Sequence, residues 1–303
     1  MPKGLRLAIK IDVDTERGTR VGVQALVALF REFGVRATFL FSFGPDNTGR
    51  ALRRIFRPGF FKKVSRTNVI GTYGVRTLLN GVLWPGPHIG KKHGDVLRAV
   101  RDAGHEVGIH CYDHIRWQDG LAKMSPNQVF AEFGKACSEF ERIFGTPAKT
   151  AGAAGWQANS LSLAAYEVAG LDYASDARGT HPFFPRANGT VFKTAQIPTT
   201  LPTLDELIGR PEYPESKLTD HYLSLLRPDR PNVLTAHAEL EGMAKFDWFR
   251  AFLSALKVRG VQIVPTAAIA SEMKQNPDNI PVCDLVDGEV DGRSGTLAVQ
   301  RCI

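Results

Sequence analysis

The chain has 303 residues, of which 43% are hydrophobic, a fraction typical of a globular protein that buries a sizeable core. No apolar run approaches the ~20 residues that a membrane-spanning helix requires, so no transmembrane segment is expected. The first apolar stretch, residues 5–11, is short and interrupted by charge. It therefore does not predict a secretory signal, and a cytoplasmic location is expected.

The net charge of +7 is concentrated in one segment. Between Asn47 and Gly94 there is no aspartate or glutamate, whereas ten lysines and arginines fall there. Aromatic residues such as Phe56, Phe60 and Trp84 lie among these cations. An ordinary solvated surface, a nucleic-acid contact and an anionic membrane or phosphate-bearing lipid all remain open. The aromatic residues favour the lipid, and no recognised nucleic-acid-binding motif accompanies the charge.

The four cysteines, Cys111, Cys137, Cys283 and Cys302, are scattered and form no CxxC pair. This spacing favours free thiols in a reducing compartment. A bridge between the last two is the pairing that the sequence leaves open, and we expect it to be absent.

Strand-like and helix-like segments alternate along most of the chain. Short apolar runs predict buried strands at residues 5–11, 37–43, 106–109, 172–174, 232–236 and 261–264. Apolar residues at helical spacing predict helices at residues 21–33, 96–103, 125–144, 159–169 and 247–259. The third of these begins with Ser125-Pro126, a pair typical of a helix N-terminus. The alternation predicts an α/β fold with a parallel sheet or barrel.

This pattern predicts a single catalytic domain over residues 1–275. An insertion rich in glycine, proline, arginine and aromatic residues interrupts it at about 45–93, and an irregular polar tail follows at 276–303.

Polar residues recur where the predicted strands end. Asp12 and Asp14 close the first strand, and His110, Asp176 and His237 each follow a later one. Because active sites of α/β barrels form at the C-terminal ends of the strands, we expect these side chains to converge.

The segment from His110 to His114 predicts a metal site. Imidazoles four residues apart lie on one helical face, and with Asp14 they form a common set of ligands for a catalytic divalent ion. Zn, Mn, Co and Fe all accept such ligands, so the metal is not distinguished. Two unrelated histidines are the alternative for the spacing alone, and Cys111 is either a thiol nucleophile or, as we favour, a small core residue.

The order of these motifs resembles the NodB-type polysaccharide deacetylases (carbohydrate esterase family four). Further segments resemble a branch of that family that deformylates a lipid-linked amino-sugar. They are residues 11–15, 17–20, 44–47, 153–156, 175–176, 178–179, 195–198, 201–203, 237–239 and 241–242. Together they extend over most of the chain up to residue 270.

The resemblance implies a distorted (β/α) barrel that carries the basic, aromatic-rich insertion. It implies that Asp14, His110 and His114 bind one divalent metal ion, that Asp12 is the general base and that His237 is the general acid. Five further residues have implied substrate-binding or supporting roles: Gly155, Trp156, Asp176, Arg178 and Glu239. For Gly155 and Trp156 the expected role is to offer backbone N–H groups to the oxyanion.

Two departures from the family pattern affect these expectations. Cys111 stands where serine or threonine usually follows the first histidine. The usual arginine before residue 153 is missing, so the partner of Asp176 is open, with Arg178 as one candidate.

The implied substrate is 4-deoxy-4-formamido-L-arabinose linked to undecaprenyl phosphate, and the implied reaction releases formate. The product would serve aminoarabinose modification of lipid A and resistance to cationic antimicrobial peptides. We therefore expect peripheral association with the inner membrane through the insertion, and no nucleic-acid partner. The alternatives are an N-acetyl deacetylase of peptidoglycan or chitin-like oligosaccharide and a non-catalytic lipid- or nucleic-acid-binding module.

Overall fold

The computed structural model describes residues 4–51 and 75–302. In chain order its strands are β1 (Arg6–Val13), β2 (Thr38–Ser42), β3 (Glu106–Cys111), β4 (Thr150–Ala151), β5 (Tyr173–Ala174), β6 (Phe184–Ala187), β7 (Thr190–Val191), β8 (Ala195–Gln196), β9 (Asn232–His237), β10 (Gln262–Val264), β11 (Val282–Gly288) and β12 (Leu297–Arg301). The α-helices are α1 (Val23–Phe33), α2 (Val75–Leu79), α3 (Ile89–Asp102), α4 (His114–Gly120), α5 (Pro126–Phe144), α6 (Ser160–Ala169), α7 (Leu204–Leu207), α8 (Leu218–Leu225), α9 (Phe246–Val258) and α10 (Thr266–Gln275). Short 3₁₀ or π turns lie at Gly18–Gly22, Leu121–Lys123, Ala154–Trp156, Glu215–Lys217, Leu240–Ala244 and Pro277–Asn279.

A curved parallel sheet forms the centre of the molecule, in the order β9-β1-β2-β3-β4-β5-β8. The short β10 pairs with the first residues of β1, and β2 pairs with the last ones. The amides of Thr200 and Leu201, just after β8, both donate to the carbonyl of Val233 in β9. The sheet thus curves round towards closure, which confirms the distorted barrel.

The predicted strands and helices form because the apolar residues of the strands are buried under the helices. Leu7, Ile9, Ile11 and Val13 of β1 have no exposed surface, as expected for a parallel strand covered by helices. Helix α5 begins with a capping box in which Ser125 and Gln128 satisfy each other's backbone N–H groups. These elements place the C-terminal ends of β9, β1, β2 and β3 along one edge of the sheet.

The C-terminal region differs from expectation. Strands β11 and β12 pair in antiparallel fashion, and β11 joins β6 and β7 to make a second, four-stranded sheet. A disulfide links Cys283 to Cys302, whereas Cys111 and Cys137 are free. The predicted irregular tail is therefore wrong, and so are the predicted free thiols at Cys283 and Cys302. The order of β11 comes from its pairing with β6 and β12, and that pairing leaves no local pattern in the sequence.

Part of the basic insertion is visible. Residues 52–74, with most of its arginines and lysines, lie outside the described residues. In the described part, Val82, Leu83 and Trp84 expose 54%, 66% and 42% of their surface. None of the described helices combines the length and apolar character needed to cross a bilayer.

Candidate metal centre and active site

Asp14, His110 and His114 meet at the C-terminal ends of the strands. Asp14 Oδ1 lies 3.2 Å from His110 Nε2 and 3.5 Å from His114 Nε2. The two imidazole rings have centroids 5.2 Å apart. The three residues thus offer one ligand atom each, all within 4.8 Å of one another.

The two histidines reach this point from different elements. His110 belongs to β3, whereas His114 is the first residue of α4, whose N-cap is Asp113. The expectation that they share one helical face is wrong, since the strand ends between them. They meet because the chain turns from strand to helix within four residues.

A backbone carbonyl fixes the orientation of the His110 ring. Its Nδ1 donates to the carbonyl of Gly152 at 2.7 Å, so the lone pair of a neutral ring lies on Nε2, towards Asp14. Such a carbonyl behind a histidine is a common support for a metal ligand.

The Asp14 carboxylate and the two imidazoles form a group that can bind a cation. Burial alone raises the pKa of Asp14, but His114 and His110 outweigh it and bring that pKa well below its usual range. Asp14 Oδ1 is buried and accepts no hydrogen bond from any described residue. Two imidazoles and an unsatisfied carboxylate oxygen fit a divalent ion with room for a further ligand.

Asp12 and His237 flank this group. They are direct partners in the pairing of β1 with β9, and Asp12 points to the same side of β1 as Asp14 because side chains alternate along a strand. Burial lowers the pKa of His237, but the carboxylates of Asp205, Asp14 and Glu241 outweigh it and raise the pKa. His237 is therefore suited to hold a proton near neutral pH.

Glu241 was missed by sequence reasoning as a site residue. Its Oε2 accepts the backbone N–H of His237 at 2.8 Å, and burial raises its pKa to about 7. Residues 241–242 are among the segments that carry the family resemblance, but no spacing rule links the Glu241 carboxylate to His237.

Trp156 forms a wall beside His237. Gly155 and Trp156 both have positive φ, 61° and 54°, and the indole lies edge-on to the His237 ring at 6.3 Å between centroids. The backbone N–H of Trp156 donates to the carbonyl of Ala153 at 3.0 Å. It is therefore engaged in this structure, contrary to its expected use for an oxyanion, and the indole is the part of Trp156 that faces the site.

Two arginines lie against the indole of Trp156. Arg293 is 4.2 Å and Arg178 is 5.7 Å from the ring centroid, and both pair with Glu206, at 2.7 Å and 2.5 Å. Arg293 comes from the C-terminal region and was not found from the sequence, because only tertiary folding brings it to Trp156. Arg178 pairs with Glu206, so the suggestion that it partners Asp176 is wrong.

Asp176 is satisfied by uncharged donors instead. It accepts hydrogen bonds from the backbone of Ala153 at 2.7 Å, from Gln196 Nε2 at 2.7 Å and from the hydroxyl of Tyr166 at 3.3 Å. Burial raises its pKa to about 6. Asp176 thus holds the turn that leads to Trp156.

Glu239 supports the backbone that presents Asp14. Its Oε1 accepts from the amides of Asp14 and Thr15 and from the Thr15 hydroxyl, at 3.2, 2.9 and 2.7 Å. Burial and the nearby Asp14 raise the pKa of Glu239 to about 8. A side chain at Gly18 would overlap Oε1 at 1.9 Å, so glycine is required there.

The thiols offer no second chemical site. Cys111 is buried, its Sγ lies 3.2 Å from Ser42 Oγ, and burial raises its pKa well above the usual range, which confirms core packing. Outside the group around Asp14, the described residues contain one further cluster of possible ligands, His181 with Cys283 and Cys302. Both of its sulfurs are joined in the disulfide.

Comparison with known proteins defines the class. Residues 11–174 match the family model described as polysaccharide deacetylase. The chain belongs to this family, and it is a hydrolase that acts on an amide bond.

Relatives and a solved structure agree over nearly the whole chain. Two curated relatives are named as 4-deoxy-4-formamido-L-arabinose-phosphoundecaprenol deformylase ArnD. The one from Shewanella sediminis is 36% identical, over 97% of this chain and 94% of that protein. The one from Wigglesworthia glossinidia brevipalpis is 30% identical, over 94% and 99%. A crystal structure of a protein assigned to the polysaccharide deacetylases, from Mycobacterium smegmatis, has a TM-score of 0.63 at 17% identity, covering 96% of this chain and 97% of that one, and shows the fold alone.

Proposed function

We propose that this protein removes the formyl group from undecaprenyl phosphate-linked 4-deoxy-4-formamido-L-arabinose, releasing formate and a free amine. The name shared by the two curated relatives supports this substrate. The observation that supports the chemistry is the meeting of Asp14, His110 and His114 beside Asp12 and His237. The product serves aminoarabinose modification of lipid A and resistance to cationic antimicrobial peptides.

Asp14, His110 and His114 hold one divalent metal ion, on which this family generally depends. When bound, the ion polarises the formyl oxygen and makes a water molecule more acidic. The three ligands accept Zn, Mn, Co or Fe, which elemental analysis of the purified protein distinguishes.

Asp12 and His237 move the protons. Asp12 accepts the proton of the attacking water, from the β1 side of the site. His237 donates a proton to the departing nitrogen, because an amine leaves poorly as an anion. The raised pKa of His237 keeps that proton available near neutral pH.

The basic insertion would contact the membrane that holds the polyprenyl tail and phosphate of the substrate. Val82, Leu83 and Trp84 form an exposed apolar turn in a segment without acidic residues. Cations beside exposed apolar groups suit a peripheral contact with an anionic membrane.

Formate release from the formamido-arabinose lipid tests the reaction. The wild-type protein should release formate only with a divalent metal, and His114→Ala should lose both the metal and the activity. No metal-dependent release by the wild type would contradict the proposal. Release of acetate from N-acetylglucosamine oligomers instead would favour a deacetylase.

Flotation with anionic liposomes tests the membrane contact. The wild-type protein should float at low salt, and Leu83→Ser should reduce flotation because it removes exposed apolar surface. Val168→Ser, on α6, is the control, since Val168 is 77% exposed but lies outside the insertion. A wild-type protein that stays at the bottom of the gradient at both low and high salt would contradict this contact.

A further inference from the structure

Lys10 is a lysine inside the barrel, where burial lowers its pKa and the carboxylates of Asp12 and Asp176 oppose that shift. It lies in the middle of β1 and is 1% exposed, and it is the one lysine among the described residues that is buried. Lysine is almost never fully buried without a partner, because removing its charge from water is costly. Since side chains alternate along a strand, Lys10 points to the same side as Asp12.

The ammonium group of Lys10 faces the proposed base from below. Its Nζ donates to the carbonyl of Ser175 at 2.8 Å and lies 3.8 Å from Asp12 Oδ1. The ring centroid of Trp156 is 5.6 Å away. A side chain at Gly152 would come within 3.2 Å of Nζ and 2.5 Å of Leu40, so glycine at this position leaves room for the lysine.

One oxygen of the Asp12 carboxylate lacks a hydrogen-bond donor among the described residues. Its Oδ1 is buried and accepts no hydrogen bond from any described residue. His110 Nδ1 is 4.0 Å away, but that atom donates to the carbonyl of Gly152. Within the described chain, Lys10 is thus the one lysine or arginine that lies within 4.0 Å of the Asp12 carboxylate.

The absence of the usual family arginine before residue 153 supports a role for Lys10 beside Asp12. The motif before residue 153 lacks a cation, Arg178 is paired with Glu206, and Asp176 is satisfied by neutral donors. The lysine or arginine nearest to Asp12 therefore comes from β1 itself, and Arg293 acts on Asp12 from farther away.

We propose that Lys10 is a positioning residue, which keeps the Asp12 carboxylate directed at the reacting water. This inference rests on the proposed role of Asp12 as general base. In a site of low dielectric, a cationic group at this distance attracts the carboxylate and holds its orientation. Without it, the Asp12 carboxylate turns towards His110 and no longer faces the reacting water.

Kinetics of Lys10→Met and Lys10→Arg test the proposal. Lys10→Met should lower kcat about 10²- to 10⁴-fold, the range for loss of a general base, and leave KM nearly unchanged because Lys10 lies behind Asp12. Lys10→Arg keeps the charge and should recover most of the loss. Ile9→Val, a small change one residue along on the opposite side of β1, controls for disturbed packing and should leave kcat unaltered.

A double-mutant cycle separates this role from a structural one. In an Asp12→Asn background, Lys10→Met should cause little further loss of kcat, because the two residues act as one unit. An undiminished kcat in Lys10→Met, or a loss of the same size in both backgrounds, would overturn the proposal.

Crystal structures of the metal-loaded wild type and both Lys10 variants make the test independent of the substrate. The Asp12 carboxylate should be displaced in Lys10→Met and retained in Lys10→Arg. An Asp12 that stays in place in Lys10→Met overturns the positioning role. A wild type that releases no formate contradicts the proposed function instead, and the three structures still decide the role of Lys10.

Discussion

His237 combines two features of a proton donor: it is adjacent to Asp12 across the sheet, and nearby carboxylates raise its pKa. We predict that His237→Asn lowers kcat about 10²- to 10⁴-fold, because asparagine keeps the polarity but cannot protonate the leaving nitrogen. The metal content, measured by elemental analysis, should remain that of the wild type. Loss of the metal in His237→Asn would show that His237 acts as a ligand.

Site residues were predictable from the sequence where polar residues directly follow a predicted strand. Asp12, Asp14, His110 and His237 each follow an apolar run, and a parallel sheet gathers such positions at one end. Lys10 looked only like an interruption of an apolar stretch, because its partners Ser175 and Asp12 are revealed by tertiary contact. The roles assigned to Asp12 and His237 stay predictions until they are tested.

At the scale of elements, the junction before β3 depends on an uncharged histidine. His105 is buried, its Nδ1 accepts the amide of Ala37 at 3.2 Å, and its ring lies 5.1 Å from Phe39. Burial, with a smaller effect of Arg36, lowers the pKa of His105 to about 4. In an unfolded chain the pKa of histidine is about 6.5.

At His105 the folded protein therefore binds fewer protons than the unfolded chain between these two values. We predict that His105 lowers the free energy of unfolding by about 2 kcal/mol as pH drops through this window, after allowance for solvent screening. The raised pKa values of Asp176 and Glu241 act with the opposite sign, so this contribution is read from a variant. His105→Asn, whose Oδ1 can accept from the same amide, should remove this contribution, so the wild type should lose more stability than the variant between the two pH values. Urea unfolding at about pH 7 and about pH 5 measures this difference. Equal pH dependence in both proteins would contradict the assignment.

The long elements were predictable, whereas some of the short ones were not. β1 and α5 have enough residues for an apolar period to be visible. The two-residue strands β4 and β8 are defined only by their pairing with neighbouring strands, so no local pattern in the sequence marks them.

At the scale of the whole molecule, the disulfide ties β11 to the residue after β12. Cys283 and Cys302 are 19 residues apart. We predict that Cys302→Ser lowers the free energy of unfolding by about 2–4 kcal/mol, as expected for a loop of this size. Urea unfolding of the oxidised wild type provides the reference, and Cys137→Ser, which removes a free thiol, should change little. A reductant that leaves wild-type stability unaltered would contradict the prediction.

The contact between the two sheets has a consequence for association between molecules. The backbone of residues 177–179 hydrogen-bonds to Thr199 beyond β8 on one side and to Ala298 and Gln300 of β12 on the other. The amide and carbonyl of Arg178, at the rim of the barrel, are thus occupied by β12. A polypeptide ending before β11 would expose them to the solvent, and an open row of this kind is where neighbouring molecules join strand to strand. The C-terminal sheet therefore protects the barrel from self-association.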